Sequence, residues 1–276
     1  MKKAILSLIF ASILIFTQNS SAKAVNLNAN AILLHHSTGG NVWDGGVVDN
    51  LNAYNAANGT NYQASEEWYP AGGDNYPYDY WNAWVNHNGL DTYTSRYDVV
   101  MFKHCFPVSG ISADTGYASV SSSAKTLENY YLQYTALKTE LLSHPDTKFI
   151  VWTGAALTEQ ATTAESALRA QTFFNWVKNT WDTPGDNIYV WDFYGLQTEG
   201  GLYFKDAYAV NLYDSHPNAA FSAYAAEKLS NRMINVIQDR GDSTDLMGNA
   251  TPAPEPSSMA LGLMGLGSLL GFRRKK

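Results

Sequence analysis

The sequence predicts an α/β protein, a three-layer α/β/α sandwich built on a mainly parallel sheet. Four short apolar runs, Ala31–Leu34, Val99–Phe102, Phe149–Trp152 and Ile188–Trp191, carry the first part of that prediction. Their apolar residues are continuous rather than alternating, the pattern of strands buried on both faces. The second part comes from the longer segments between them, whose apolar residues recur at three and four positions. Strands of the first kind alternating with helices of the second imply a sheet covered on both sides.

Taken in order, Ala31–Leu34 forms the first strand and runs into His35-His36-Ser37-Thr38-Gly39-Gly40-Asn41, a small, glycine-bordered exit. Residues Asn41–Asn88 are rich in Asn, Gly, Tyr and Trp. One strand near Tyr62–Trp68, one helix near Tyr78–Val85 and long surface loops are expected there. After Val99–Phe102, a helix is read from Leu127, Tyr130, Tyr131, Tyr134, Leu137 and Leu141, closing before His144-Pro145. Ala164–Val177 repeats the pattern, with Leu168, Phe173 and Trp176 apolar and Glu165 and Arg169 spaced as a helix ion pair. A last helix starts near Pro217, with Asn218 near its cap, and passes through Tyr224, Leu229, Met233 and Val236. No internal repeat is visible.

Both ends carry signals. Met1-Lys2-Lys3, the apolar run Ala4–Phe16 and the small residues Ala22 and Ala24 form the three-part pattern of a secretion signal peptide. Cleavage is expected after Ala24, with Ala22 as the second choice. At the other end, Pro254-Glu255-Pro256-Ser257-Ser258 precedes the apolar run Met259–Phe272, and Arg273-Arg274-Lys275-Lys276 follows. A membrane-inserted segment held by a cytoplasmic basic cluster fits that order. The tail resembles the PEP-CTERM sorting signal of Gram-negative bacteria. That resemblance implies processing by an exosortase-type enzyme and delivery to the cell surface or an exopolysaccharide matrix. The chain therefore divides into a signal peptide (1–24), an α/β body (25–240), a polar linker (241–253) and a sorting segment (254–276).

A formal net charge of −7 argues against a nucleic-acid partner, which calls for a basic stripe. The 18 Tyr and 8 Trp suit carbohydrate stacking as well as ordinary core packing. Cys105 is the sole cysteine, so no intramolecular disulfide forms. Its simplest reading is a small buried residue at a strand end, ahead of a thiol nucleophile.

Ligands of parallel α/β sheets bind at the carboxyl ends of the strands. Two segments meet there: the exit of the first strand, with Ser37, and Tyr213-Asp214-Ser215-His216-Pro217-Asn218 before the last helix. A serine nucleophile needs a base within hydrogen-bond reach, and the base needs an orienting acid. These segments resemble the first and last motif blocks of the SGNH/GDSL hydrolase family, whose fold is a flavodoxin-like α/β/α sandwich. The resemblance implies a nucleophile at Ser37, a base at His216 and an acid at Asp214. It also implies an oxyanion hole, for which the Ser37 amide and Gly73, in Gly72-Gly73-Asp74-Asn75, are the candidate donors.

The chain departs from the family at several points. The family's Asp stands three residues before its His; here Tyr213 holds that place and Asp214 is two before. Asp192 is the alternative acid, and a Ser–His dyad is a further option. His35-His36 replaces the Gly-Asp that usually precedes the serine. Lys103-His104-Cys105 stands where the family's Asn block falls. His35 and His36 alternate in direction, so one is expected to pack inward and the other to line the site.

The leading functional reading is an exported serine esterase with an acyl ester or acetylated polysaccharide as substrate, needing no cofactor and no metal. A non-catalytic matrix or carbohydrate-binding protein on the same fold is the alternative, supported by Trp43, Trp68, Tyr69, Tyr76, Tyr78 and Trp81. A third reading gathers His35, His36, His104, His216 and Asp214 around zinc, without the compact spacing such sites usually show.

Overall fold

The computed structural model describes residues 26–249; the signal-peptide segment and the sorting segment lie outside the described residues. In chain order the elements are β1 (Asn28–His35), α1 (Thr38–Asp44), α2 (Val47–Asn58), β2 (Asn61–Trp68), α3 (Pro77–Tyr80), α4 (Asp91–Thr94), β3 (Val99–Phe102), α5 (Leu127–Leu142), β4 (Lys148–Trp152), α6 (Ala164–Trp176), β5 (Ile188–Trp191), α7 (Phe193–Thr198), β6 (Ala209–Asn211), β7 (Asp214–Pro217) and α8 (Ala219–Ile237). Both α3 and α6 continue into a π-helical turn, Trp81–Asn86 and Val177–Trp181.

Five strands form one sheet in the order β2-β1-β3-β4-β5, every pairing parallel. That is the flavodoxin-like order, whose reversal of direction falls at β1/β3. α1, α2 and α8 pack together on one face, while α3, α5 and α6 associate on the other. β3 and β5 are buried at every residue and β4 at all but its first, as strands covered on both sides must be. Outside this sheet, β6 and β7 pair antiparallel as a small hairpin ahead of α8.

The four apolar runs are strands, and β2 and α5 begin and end within a residue of the expected bounds. Asn218 caps α8, its side chain accepting the Phe221 amide at 3.0 Å. Some details differ. Leu168 and Tyr224 face solvent at 54% and 44% exposure, although their spacing suited the core. Arg169 Nε donates to the Ile111 carbonyl at 2.7 Å, while the Glu165 carboxylate bonds first to its own helix start and Thr163 and feels Arg169 only through its charge. The segment from Gly241, expected to be linker, packs on the body as far as Gly248. At the end of β5, the Asp192 amide donates to Leu246 O at 2.8 Å and the Trp191 indole to Met247 O at 3.1 Å. These donors need acceptors once buried, and the polar tail supplies them.

Arg232, 1% exposed, fastens α8 to the same edge through the carbonyls of Val190 (2.9 Å) and Gly241 (2.5 Å). At Gly45, α1 ends so close to α8 that an added Cβ would lie 2.3 Å from the Ser222 carbonyl oxygen.

His104 lies beneath the sheet's carboxyl edge, fully buried, and shares a 2.7 Å hydrogen bond with the Tyr134 hydroxyl. Burial, helped by the nearby Lys103 charge, pushes its pKa down to about 3. The fold thus favours the neutral ring. That stabilisation is complete above the unfolded value of 6.5 and is lost as pH falls from there towards 3. His104→Gln is expected to flatten the loss of stability over this window, worth about 3 kcal/mol by pH 4 at roughly 1.4 kcal/mol per pH unit. Denaturant melts of both proteins from pH 7 to pH 4 check it.

Candidate active site

Ser37 follows the carboxyl end of the interior strand β1 by two residues and stands as the N-cap of α1. Its backbone has φ 34° and ψ −90°, a region that a residue with a Cβ rarely adopts. A Ser at this position usually caps its helix with its own hydroxyl. Here no side-chain cap bond forms, and the Oγ instead hydrogen bonds with His216 Nε2. The turn is tight enough that a Cβ on Gly39 would fall 2.4 Å from the His35 Cβ and 2.8 Å from the Lys103 Cδ. Only glycine lets α1 start this close to the strand ends.

Asp214 and His216 sit on β7, and the two-residue spacing follows from that strand. Side chains at i and i+2 point to the same face, so the carboxylate lies beside the imidazole. Asp214 Oδ1 is 2.5 Å from His216 Nδ1 and also accepts the His216 amide at 3.0 Å. The intervening Ser215 faces the opposite way, buried, with its Oγ accepting the Thr158 amide at 3.0 Å. The Phe106 ring packs edge-on against the His216 imidazole, centroids 5.2 Å apart, and limits its rotation.

The geometry is a continuous relay: Ser37 hydroxyl to Nε2, Nδ1–H to carboxylate. It lies open to solvent, with the His216 and Asp214 side chains 28% and 41% exposed. The His216 ring, followed by its amide, holds the Asp214 carboxyl below the usual carboxylate range. Asp214 therefore stays ionised wherever imidazole is neutral, which keeps the Nδ1–H tautomer and leaves Nε2 free to accept.

The other candidates fall elsewhere. Asp192 is 5% exposed and caps α7, accepting from the Gly195 amide (3.0 Å), the Thr153 hydroxyl (2.8 Å) and Lys178 Nζ (2.8 Å). It serves as a buried anchor between β4, α6 and α7 and not as a partner of His216. Asp192→Ala is expected to cost about 3 kcal/mol of stability, by stranding Lys178 and two donors, while leaving any Ser37-dependent activity within about threefold. Thermal melts and a rate assay on the same preparation check it. Gly73 is exposed at φ 84°, beside the Asp79 carboxylate, and no backbone hydrogen bond joins it to Ser37 among the described residues. Asn75 is buried, and its side-chain amide is spent on the Tyr69 carbonyl at 2.8 Å.

Both strand-end histidines are buried, contrary to the expected alternation of roles. His35 Nε2 pairs with Glu66 at 2.8 Å. His36 Nε2 meets the Pro70 carbonyl at 2.6 Å, and its ring stacks on Trp68 with centroids 4.2 Å apart. With His104 held by Tyr134, the imidazoles diverge, and among the described residues no three His, Cys, Asp or Glu side chains are grouped to hold a metal ion. Cys105 is buried and unpaired.

A parallel sheet covered by helices on both faces defines an α/β sandwich protein, with Ser37, His216 and Asp214 linked by hydrogen bonds beside the carboxyl ends of its strands. Comparison with known proteins adds the following. Residues 252–276 match the PEP-CTERM protein-sorting motif. The motif indicates export and surface sorting in Gram-negative bacteria, with membrane anchoring before cleavage by an exosortase-type enzyme. No helix of the described residues is long and apolar enough to cross a membrane; the run Met259–Phe272 lies outside them. No curated protein matches the sequence. Similar solved structures include BT4096, a gut microbial diltiazem-metabolizing enzyme (10% identity, TM-score 0.45, covering 79% of this chain and 48% of that one). Another is LAE5, an alpha/beta hydrolase enzyme from the metagenome of Lake Arreo, Spain (14% identity, TM-score 0.46, 80% and 97% covered). The chain spans about half the length of the first of these.

Proposed function

We propose that the protein is an exported serine ester hydrolase of the SGNH/GDSL type, acting on acyl esters such as O-acetylated cell-surface or matrix polysaccharide. The observation that carries the reading is the unbroken relay from the Ser37 hydroxyl through His216 to Asp214. In the first step Ser37 Oγ attacks the acyl carbonyl carbon while His216 Nε2 takes the hydroxyl proton. The imidazolium formed is stabilised by the Asp214 carboxylate. The oxygen that gains the negative charge is met by the Ser37 backbone N–H. As the carbonyl re-forms, the C–O bond to the alcohol breaks and His216 returns its proton to the departing oxygen. A water then repeats the sequence on the acyl-enzyme, releasing the carboxylic acid and free Ser37.

Removal of residues 1–24 as a signal peptide and of the tail by sorting leaves the α/β body outside the cytoplasm. Hydrolysis of 4-nitrophenyl acetate by the purified protein, compared with release of acetate from an acetylated polysaccharide, tests the reading. Turnover of either supports it. Inactivity on both, with retention on immobilised polysaccharide, would favour the carbohydrate-binding alternative. That alternative draws on Trp68, 56% exposed and stacked on His36 beside the relay, and on Tyr213, 77% exposed beside Asp214.

A further inference from the structure

Lys103, the first residue after β3, is 1% exposed, yet no carboxylate forms an ion pair with it among the described residues. A buried ammonium without a counter-ion is costly and is a poor way to stabilise a fold. Its two hydrogen bonds both go to the turn that carries Ser37. Nζ donates to the His36 carbonyl at 3.2 Å and to the Thr38 hydroxyl, the residues on either side of the serine. The aliphatic stem passes beside Gly39, where no other residue would leave it room.

The His36 carbonyl belongs to the same peptide group as the Ser37 N–H. That carbonyl also accepts the Gly39 amide at 2.8 Å, whereas the Ser37 N–H has no acceptor among the described residues. A cation on the oxygen of a peptide draws electron density from its nitrogen and makes the N–H a stronger donor. Two donors on one carbonyl also fix the plane of the peptide, and so the direction of its N–H.

We propose that Lys103 is a positioning residue for the oxyanion donor, orienting and polarising the His36–Ser37 peptide through the His36 carbonyl. The inference rests on the reading of Ser37 as a nucleophile. Burial lowers the Lys103 pKa to about 8, so its proton is labile within an accessible range. The titratable groups facing it are His35 at the end of β1 and His36 in the turn after it, with His104 and Cys105 on its own segment. Burial lowers the pKa of all three imidazoles, so they are neutral in the alkaline range where Lys103 titrates.

Lys103→Met keeps the stem and removes the charge. With 4-nitrophenyl acetate, kcat is expected to fall roughly 10- to 100-fold, less than for outright loss of an oxyanion donor, with KM within about threefold. Affinity for a boronic acid, whose adduct with Ser37 is a tetrahedral anion, should weaken by a similar factor. The wild type's kcat should decline as pH rises through about 8, and that decline should be missing from the variant. A folded variant with kcat within threefold of wild type, or with the alkaline decline intact, overturns the role; so does a loss confined to KM. Should Lys103→Met not fold, the wild-type rate of fluorophosphonate labelling between pH 7 and pH 10 decides, and a flat profile overturns the role. A wild type that neither hydrolyses esters nor is labelled removes the nucleophile reading and this inference with it. A wild type that does both beside an unaffected variant removes only the inference.

Discussion

Ser37→Ala is expected to lower kcat/KM for a short-chain acyl ester by roughly three to six orders of magnitude, with an unchanged circular dichroism spectrum and melting temperature. The size of the effect follows from the route. Without the Oγ there is no acyl-enzyme, and what survives is substrate binding and the donor at the oxyanion position. The fold should not suffer, because the hydroxyl makes no helix-capping bond and its one partner among the described residues is His216. Alanine also carries the same Cβ into the strained backbone at φ 34°, so the turn keeps its shape. Activity within tenfold of wild type in the purified variant would require a different nucleophile.

Asp214→Asn is expected to lower kcat by roughly two to four orders of magnitude while leaving KM close to the wild-type value. The amide cannot balance the imidazolium that forms during attack, and its NH2 can turn towards Nδ1 and trap the ring in the wrong tautomer. The effect should sit towards the lower end of that range, because the carboxylate is 41% exposed and water shares its charge. Since the His216 contacts hold the Asp214 carboxyl below its usual pKa of 3.8, the acid limb of the wild-type rate profile should not be its titration. The sign for stability is the same: a depressed carboxyl stabilises above its unfolded value and loses that contribution as pH falls through the lowered one. Combining Asp214→Asn with Ser37→Ala should add little to the serine variant alone, because the residues act as one unit. Rate assays across pH 4 to 9 on the single and double variants check both points.

The fold was legible where burial on both faces imposes one composition. Val99–Phe102 and Ile188–Trp191 coincide with β3 and β5 because nothing polar survives inside a covered parallel sheet. Where packing overrides local preference, the pattern was silent. α2, VVDNLNAYNAAN, buries only Val47 and Leu51, too few for a helical stripe. α7 is buried at every residue and has no polar face to set against an apolar one. β7, Asp-Ser-His-Pro, has the composition of a turn and is a strand only because β6 pairs with it.

The site divides along the same line. Ser37 and His216 stand out as motif residues at the two ends of the fold. The value of Asp214 depends on β7 being a strand, which its sequence does not announce. Asp192 is an attractive acid by position, and only the structure shows Lys178, Thr153 and Gly195 consuming it. His35 and His36 point to chemistry in the sequence and prove to be wedged among Glu66, Pro70 and Trp68. Lys103 stands in a segment the sequence singles out, but its burial gave no signal, since a lysine after a strand reads as surface. Its burial comes from the way α1 closes over the strand ends at Gly39.

The central claim is that Ser37 is a nucleophile activated by His216. Labelling of the purified protein with a fluorophosphonate, followed by intact-mass and peptide analysis, tests it most directly. The account predicts one adduct per chain, on Ser37, absent from Ser37→Ala and slowed by at least a hundredfold in His216→Gln. A protein that hydrolyses acyl esters yet takes up no label at Ser37, or is labelled equally fast without His216, would contradict it.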